Sequence, residues 1–185
     1  MNVHQVFFNF DLFFFQINRS YISAFVLGIR DRHHDNIMFH SEEGWIFHID
    51  FGHILGDVVT MDTGDFAITP EFKRTLGPEL WIEFVNYAVK AFLCIRKHAE
   101  KVISFVESLM ASLPRPNGAI TVGDFLRRIL MLNGNSDLNG VDQNRAGSVI
   151  RGKIDGAPNN FNTKFKNWTH SKAIAYKEFS SDSKS

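Results

Sequence analysis

The stretch Gly28-Ile29-Arg30-Asp31-Arg32-His33-His34-Asp35-Asn36, followed by Ile49-Asp50-Phe51-Gly52, decides how this 185-residue chain is read. Between the two blocks, Asn36 to Phe39 and Trp45 to Ile49 form short strand-like runs, and Ser41, Glu42, Glu43 and Gly44 supply turn residues. Two such runs joined by a short Gly-containing turn predict a β-hairpin. Pairing in that hairpin would bring Asn36 and Asp50 near each other. Upstream, Ser20 to Leu27 reads as the end of a buried helix, stopped by Gly28.

Downstream, residues 53 to 70 mix polarity with two glycines and a closing proline, and read as an extended loop. The pattern then turns helical. Pro78 suits a first helical turn, and Leu80, Phe84, Tyr87, Ala88 and Ala91 recur at helical spacing. A second helix is expected over His98 to Leu113, with Val102, Phe105, Val106 and Leu109 on one face and Pro114 and Pro116 ending it. Thr121 with Asp124 resembles a capping box before Phe125, Leu126, Ile129 and Leu130, and Asn133 and Gly134 close that helix. Residues 133 to 148, rich in Asn, Asp, Gly and Ser, read as a loop, and a last helix is expected over Asn160 to Phe179. The fold class expected is α+β, mostly α: a hairpin flanked by helices, then helices alone, rather than an alternating βαβ sheet.

The chemistry suggested by the two quoted blocks is phosphoryl transfer. That reaction needs a group to take a hydroxyl proton and ligands that hold Mg²⁺ against phosphates. Magnesium prefers oxygen ligands, commonly one or two carboxylates plus phosphate oxygens and water. Asp31 precedes Asn36 by five residues, the interval between the catalytic Asp and the metal-binding Asn of protein kinases, and Asp50-Phe51-Gly52 follows across the hairpin. The residue types alone allow either His33 or Asp31 as the base, since an imidazole accepts protons well near neutral pH. Arg32 could contact a phosphate or pair with an acid. For His34, His40 and His48 a structural role is expected.

The order Asp-Arg-His, reversed from the His-Arg-Asp of protein kinases, together with His48-Ile49-Asp50-Phe51-Gly52-His53-Ile54-Leu55-Gly56, resembles the phosphatidylinositol 3- and 4-kinases. The resemblance covers roughly residues 20 to 175 and is densest from 28 to 56. It implies the C-terminal lobe of a protein-kinase-like lipid kinase fold that uses ATP and Mg²⁺ to phosphorylate an inositol hydroxyl of phosphatidylinositol. By resemblance His33 is the general base, Asp31 orients or assists it, Arg32 belongs to the catalytic set, and Asn36 and Asp50 are metal ligands. Phe51, Gly52, His53, Asp57, Asp62 and Asp65 would then belong to the activation loop that meets the lipid headgroup. Arg30 stands where 3-kinases commonly have glycine, and His34 where Asn is frequent, which blurs the subfamily; the string around Asp50 and Trp168 lean toward a 3-kinase. The partners implied are the lipid, a peripheral membrane surface and a regulatory subunit, without nucleic acid.

Residues 53 to 70 contain those three aspartates and no Lys or Arg. A bisphosphorylated headgroup needs cationic partners, so phosphatidylinositol itself is the expected substrate. In the last helix, Phe161, Phe165, Trp168, Tyr176 and Phe179 fall near one face, and segment 161 to 177 carries Lys164, Lys166, Lys172 and Lys177 with no acid. Aromatics flanked by lysines suit a helix lying on an anionic bilayer, so Trp168, Lys164, Lys166 and Lys172 are candidate membrane contacts. Packing into the core is the competing use of such a stripe.

Composition sets the outer bounds. Apolar residues make up 44% and charged residues 22%, with a formal net charge of zero, so no global field draws the chain to nucleic acid. The single cysteine, Cys94, rules out an internal disulfide and suits a reducing, cytoplasmic setting at the membrane periphery. The expected organisation is an aromatic-rich segment at 1–19, the kinase lobe at 20–179 and a polar tail at 180–185. Phe7, Phe8, Phe10, Phe13, Phe14 and Phe15 read as a buried strand or helix start, or as a wrongly joined beginning. Kinases hold ATP phosphates with a Gly-rich loop and a strand lysine upstream of the catalytic loop. No lysine occurs before Lys73. The expectation is therefore a lobe active only within a longer chain, against two alternatives: a silent pseudokinase or binding module, and a phosphatidylinositol-kinase-related protein kinase.

Overall fold

The computed structural model describes residues 10–40, 45–57, 62, 64–113, 120–132 and 141–182. Among the described residues, six α-helices and one hairpin follow in the order α1 (Phe10–Val26), β1 (Ile37–His40), β2 (Trp45–His48), α2 (Pro70–Lys97), α3 (Ala99–Met110), α4 (Val122–Ile129), α5 (Gln143–Gly156) and α6 (Phe161–Asp182). Helix α1 packs on α2, α2 on α5, α3 on α4, and β2 lies against α1. The α+β, mostly α class expected from the sequence is what the chain adopts.

The core follows from apolar spacing. Phe14, Ile17, Tyr21 and Phe25 of α1 turn inward at intervals of three and four residues, and Tyr21 meets Phe84 and Phe25 meets Phe92 of α2. Each such large side chain contributes about 1.5–3 kcal/mol by leaving water. Helix α1 ends at Gly28, whose φ of 56° closes the last turn through Gly28 N–H to the Phe25 carbonyl at 3.1 Å. Phe125 of α4 lies where a Cβ on Gly28 would fall, so both torsion and space demand glycine there. Helix α1 also runs unbroken through residues 19 and 20, so the expected boundary between an aromatic-rich segment and the lobe falls inside one helix.

The expected hairpin forms, with Ile37 opposite His48 and His40 opposite Trp45. Its turn, residues 41 to 44, lies outside the described residues. The helix expected from Pro78 starts earlier. Thr69 caps α2 by accepting from the Phe72 N–H, Pro70 opens it, and Gly77 (φ 72°, ψ 176°) kinks it just before Pro78. On α3, Ala99, Ile103 and Val106 are buried, whereas Phe105 and Leu109 are 64% and 59% exposed, so the inward stripe is rotated from the one expected. The Thr121 cap forms, accepting from the Asp124 N–H at 3.1 Å. The expected loop over 133 to 148 is corrected in its second half, because α5 begins at Gln143 under an Asp142 cap; its first half, with Asn133 and Gly134, lies outside the described residues.

Candidate active site

The corner between the end of α1 and the hairpin brings the two quoted blocks together. Two backbone bridges do this: Leu55 N–H donates to the Leu27 carbonyl at 2.8 Å, and Arg30 N–H donates to the His53 carbonyl at 2.9 Å. At the open end of the hairpin, Ile49 N–H donates to the Asn36 carbonyl at 3.1 Å, which places Asp50 one residue beyond the partner of Asn36.

Arg32 organises the corner from inside. It is 5% exposed, and four of its donors go to main-chain carbonyls. Nε donates to Arg30 at 2.8 Å, Nη1 to Ile49 at 2.6 Å and Asn36 at 3.3 Å, and Nη2 to Asp50. The hydrogen bonds of its guanidinium go to main-chain carbonyls. Arg32 ties the loop before the hairpin to the residues after it. Burial pushes the guanidinium below its ordinary pKa, and the charges of Asp31, Asp50 and Asp62 oppose that. A fork of fixed N–H directions suits this task as a lysine could not.

Asp31 and Asp50 both adopt left-handed backbone conformations, at φ 61° and φ 58°. Such conformations are uncommon for residues with a Cβ and persist where surroundings over-determine them. The Asp31 carbonyl accepts from the Asn36 side-chain amide at 2.9 Å. That bond uses the amide nitrogen of Asn36 and leaves its oxygen as the atom available to a cation. The Asp50 Oδ1 accepts from the Gly52 N–H at 3.2 Å, and Asp50 is exposed. Among the described residues no group of three or more His, Cys, Asp or Glu is gathered as a metal cluster. An amide oxygen and a carboxylate from opposite ends of one hairpin are the hard donors that Mg²⁺ takes alongside phosphate and water, so the donor set fits.

His33 is 8% exposed, and its N–H donates to the Asp31 carbonyl at 3.2 Å. Burial would raise the Asp31 carboxyl, but the hydrogen bond and charge of Lys166, with His33 and Arg32, hold it below the usual carboxylate range. Asp31 is therefore a persistent anion beside His33. Of the other histidines, His34 and His40 are exposed, and His34 approaches Asp35 at 3.2 Å. His48 lies edge-on to Tyr21 at 6.0 Å, and burial followed by the charge of Arg32 pulls its pKa down to about 4.

The acids of residues 53 to 70 have intramolecular partners. Asp57 accepts from the Ile54 N–H at 3.4 Å. Asp62 pairs with Arg30 at 3.3 Å and accepts from the Asp31 N–H at 3.0 Å, and Asp65 pairs with Lys153 of α5. Phe51, Gly52 and His53 are exposed at the start of the loop.

Helix α6 touches this corner from one side and solvent from the other. Thr163 accepts from the Gly64 N–H at 3.1 Å, Asn167 accepts from the His34 N–H at 3.2 Å, and Lys166 pairs with Asp31. Lys166, a candidate membrane contact from the sequence, here has Asp31 as its partner; its side chain is 17% exposed. Phe161, Phe165 and Trp168 form a ladder of rings 5.8 and 6.0 Å apart, with Phe161 73% and Trp168 58% exposed. Lys164 and Lys172 are exposed, and the side chains of Tyr176, Lys177 and Phe179 lie outside the described residues. The sequence reading missed Arg30, Asn167 and Lys166 as members of the corner. The acids of residues 53 to 70 beside an Arg in the catalytic loop were a signal for Arg30; for the other two, more than 130 residues away, no local signal existed.

Comparison with known proteins agrees with this geometry. Residues 3–116 match the profile of the family described as phosphatidylinositol 3- and 4-kinase. Over 117 residues the chain is 33% identical to the human phosphatidylinositol 3-kinase C2 domain-containing subunit gamma, covering 57% of this chain and 8% of that protein. It is 37% identical over 99 residues to phosphatidylinositol 3-kinase 3 of Dictyostelium discoideum, covering 49% of this chain and 6% of that one. It is 33% identical over 116 residues to phosphatidylinositol 4-kinase beta of Danio rerio, covering 58% and 14%. The chain thus spans a small fraction of the length of the curated relatives it matches. With the profile covering more than half of the chain, and the Asp31, Asn36 and Asp50 corner inside the matched residues, the chain belongs to the phosphatidylinositol 3- and 4-kinase family.

Proposed function

We propose that this chain is the catalytic-loop lobe of an ATP- and Mg²⁺-dependent lipid kinase that phosphorylates an inositol hydroxyl of phosphatidylinositol, working as part of a longer chain that supplies the ATP-binding lobe. The observation that carries the reading is the shared corner. One guanidinium ties Asn36 and Asp50 to the loop of Asp31 and His33. His33 would take the proton of the attacking hydroxyl, and the charged Asp31 beside it would stabilise the resulting imidazolium. Asn36 and Asp50 would hold the magnesium, which supplies charge stabilisation for the transferring phosphoryl group.

The headgroup reading is phosphatidylinositol rather than a bisphosphorylated lipid. It is supported by the absence of Lys and Arg from residues 53 to 70 and by the pairing of Arg30 and Lys153 with Asp62 and Asp65. Peripheral membrane contact, on the cytoplasmic side, is supported by the exposed ladder of Phe161, Phe165 and Trp168 with Lys164 and Lys172 beside it. No helix among the described residues is long and apolar enough to cross a membrane.

The test is phosphate transfer by the full-length gene product to phosphatidylinositol vesicles, with a protein substrate in parallel. Asp50→Ala should abolish lipid phosphorylation while the circular dichroism spectrum stays unchanged. Turnover retained by that variant would overturn the metal assignment. Labelling of protein in place of lipid would transfer the chain to the related protein kinases.

A further inference from the structure

We propose that Asp62 is a positioning residue for Asp31: together with Arg30 it forms a clasp that closes the activation loop onto the catalytic loop and holds Asp31 in its left-handed conformation. The catalytic consequence rests on the phosphotransfer reading above, and the structural one rests on geometry alone.

Asp31 sits at φ 61°. A left-handed residue with a Cβ is sterically disfavoured, so neighbouring bonds must hold it there. On its carbonyl side those bonds come from Asn36 Nδ2 at 2.9 Å and His33 N–H at 3.2 Å, both within the catalytic loop. On its amide side the bond comes from 31 residues away: Asp31 N–H donates to Asp62 Oδ1 at 3.0 Å. The second oxygen of the same carboxylate, Oδ2, takes Arg30 Nη1 at 3.3 Å. One carboxylate thus grips two consecutive residues, the amide of one and the guanidinium of the other. A main-chain N–H bonded to a charged acceptor is stronger than a neutral pair. Arg30 is itself pinned across the corner by its N–H to the His53 carbonyl at 2.9 Å, so pulling on the guanidinium cannot slide the loop. Arg30 and Asp62 side chains are 27% and 18% exposed, partly shielded from screening. Asp62 needs no contact with substrate to act. It fixes the direction of the Asp31 carboxylate, and through it the neighbourhood of His33.

Three variants separate the two arms of the clasp. Asp62→Asn keeps an acceptor for the Asp31 amide and loses the ion pair, Arg30→Gln loses the ion pair from the other side, and Asp62→Ala loses both. In the 185-residue chain, exchange of the Asp31 amide measured by NMR should quicken about tenfold in Asp62→Ala and under about threefold in Asp62→Asn and Arg30→Gln. In the full-length enzyme, Asp62→Ala should lower kcat about tenfold or more with the KM for ATP within about twofold, and Asp62→Asn should recover most of the loss. Unchanged Asp31 exchange in a folded Asp62→Ala overturns the clasp, whatever the activity. Changed exchange with unchanged kcat overturns the positioning role. If the wild-type enzyme transfers no phosphate, the proposed function fails, and the exchange rates still decide the clasp; where Asp62→Ala does not fold, Asp62→Leu, which also removes both acceptor oxygens, is held to the same tenfold expectation, and unchanged Asp31 exchange there overturns the clasp.

Discussion

In the helical base Phe84, Phe92, Ile150 and Ile154 are at most 1% exposed and hold their helices by apolar contact, whereas in the corner beside the hairpin the central side chain is a buried guanidinium bonded to four carbonyls. Apolar burial is non-directional, so it fixes how much surface meets without fixing where each atom points. Hydrogen bonds fall off steeply with angle, so the corner specifies the positions of Asp31, Asn36 and Asp50 at the expense of tolerance to change. The molecule therefore keeps bulk stability in one region and precision in the other.

The largest effect should come from the base. Phe92→Ala should cost about 3–5 kcal/mol in urea denaturation, with the amides of Arg30 and Ile49 exchanging faster only through global unfolding. Arg32→Gln comes next. It strands buried carbonyls and should cost about 1–3 kcal/mol, but it should open the Arg30 and Ile49 amides locally while amides in α2 and α5 keep their protection. Equal loosening of the corner by both variants would erase the distinction between the regions. The smallest effect tests the seam. Phe125 of α4 is fully buried and lies against Gly28 of the corner. Thr121→Ala removes the cap of that helix and should lower stability by about 1 kcal/mol, with hydrogen exchange quickening near Gly28 as well as in α4.

How far the sequence revealed this arrangement differs by region for the same reason. The hairpin, and with it the approach of Asn36 to the strand end before Asp50, was legible because it depends on residues close in sequence: Ile49, which bonds Asn36, is 13 positions away. The Thr121 cap was legible because it is local. Helix α5 was not: Gly147, Gly152, Asn144 and Ser148 depress helix propensity, and the compensation lies elsewhere. Gly147 makes room for Val89 and Leu93 of α2, which would crowd an added Cβ at 3.3 and 3.4 Å, while Ala146, Ile150 and Ile154 bury completely or nearly so. The inward stripe of α3 was misjudged because Phe105 and Leu109 are apolar without being covered by described residues. In the corner, residue identity pointed to Arg32 but not to its use, since that depends on where the carbonyls of Ile49 and Asp50 arrive. Lys166 and Asn167 reach the same corner from the far end of the chain, and no spacing announces them.

The kink in α2 has a meaning that volume does not show. At Gly77 an added Cβ would meet nothing within 4 Å, yet φ 72° with ψ 176° is a region that essentially only glycine occupies. Across that kink Lys73 sits 4.6 Å over the ring of Trp81, and Phe72 meets Phe84 at 5.5 Å, so the two arms of the helix are fastened to each other. Chirality is therefore what this position senses: an L-residue has the room but the wrong hand, and a D-alanine, for which the mirror-image torsions are ordinary extended backbone, would leave both arms where they are.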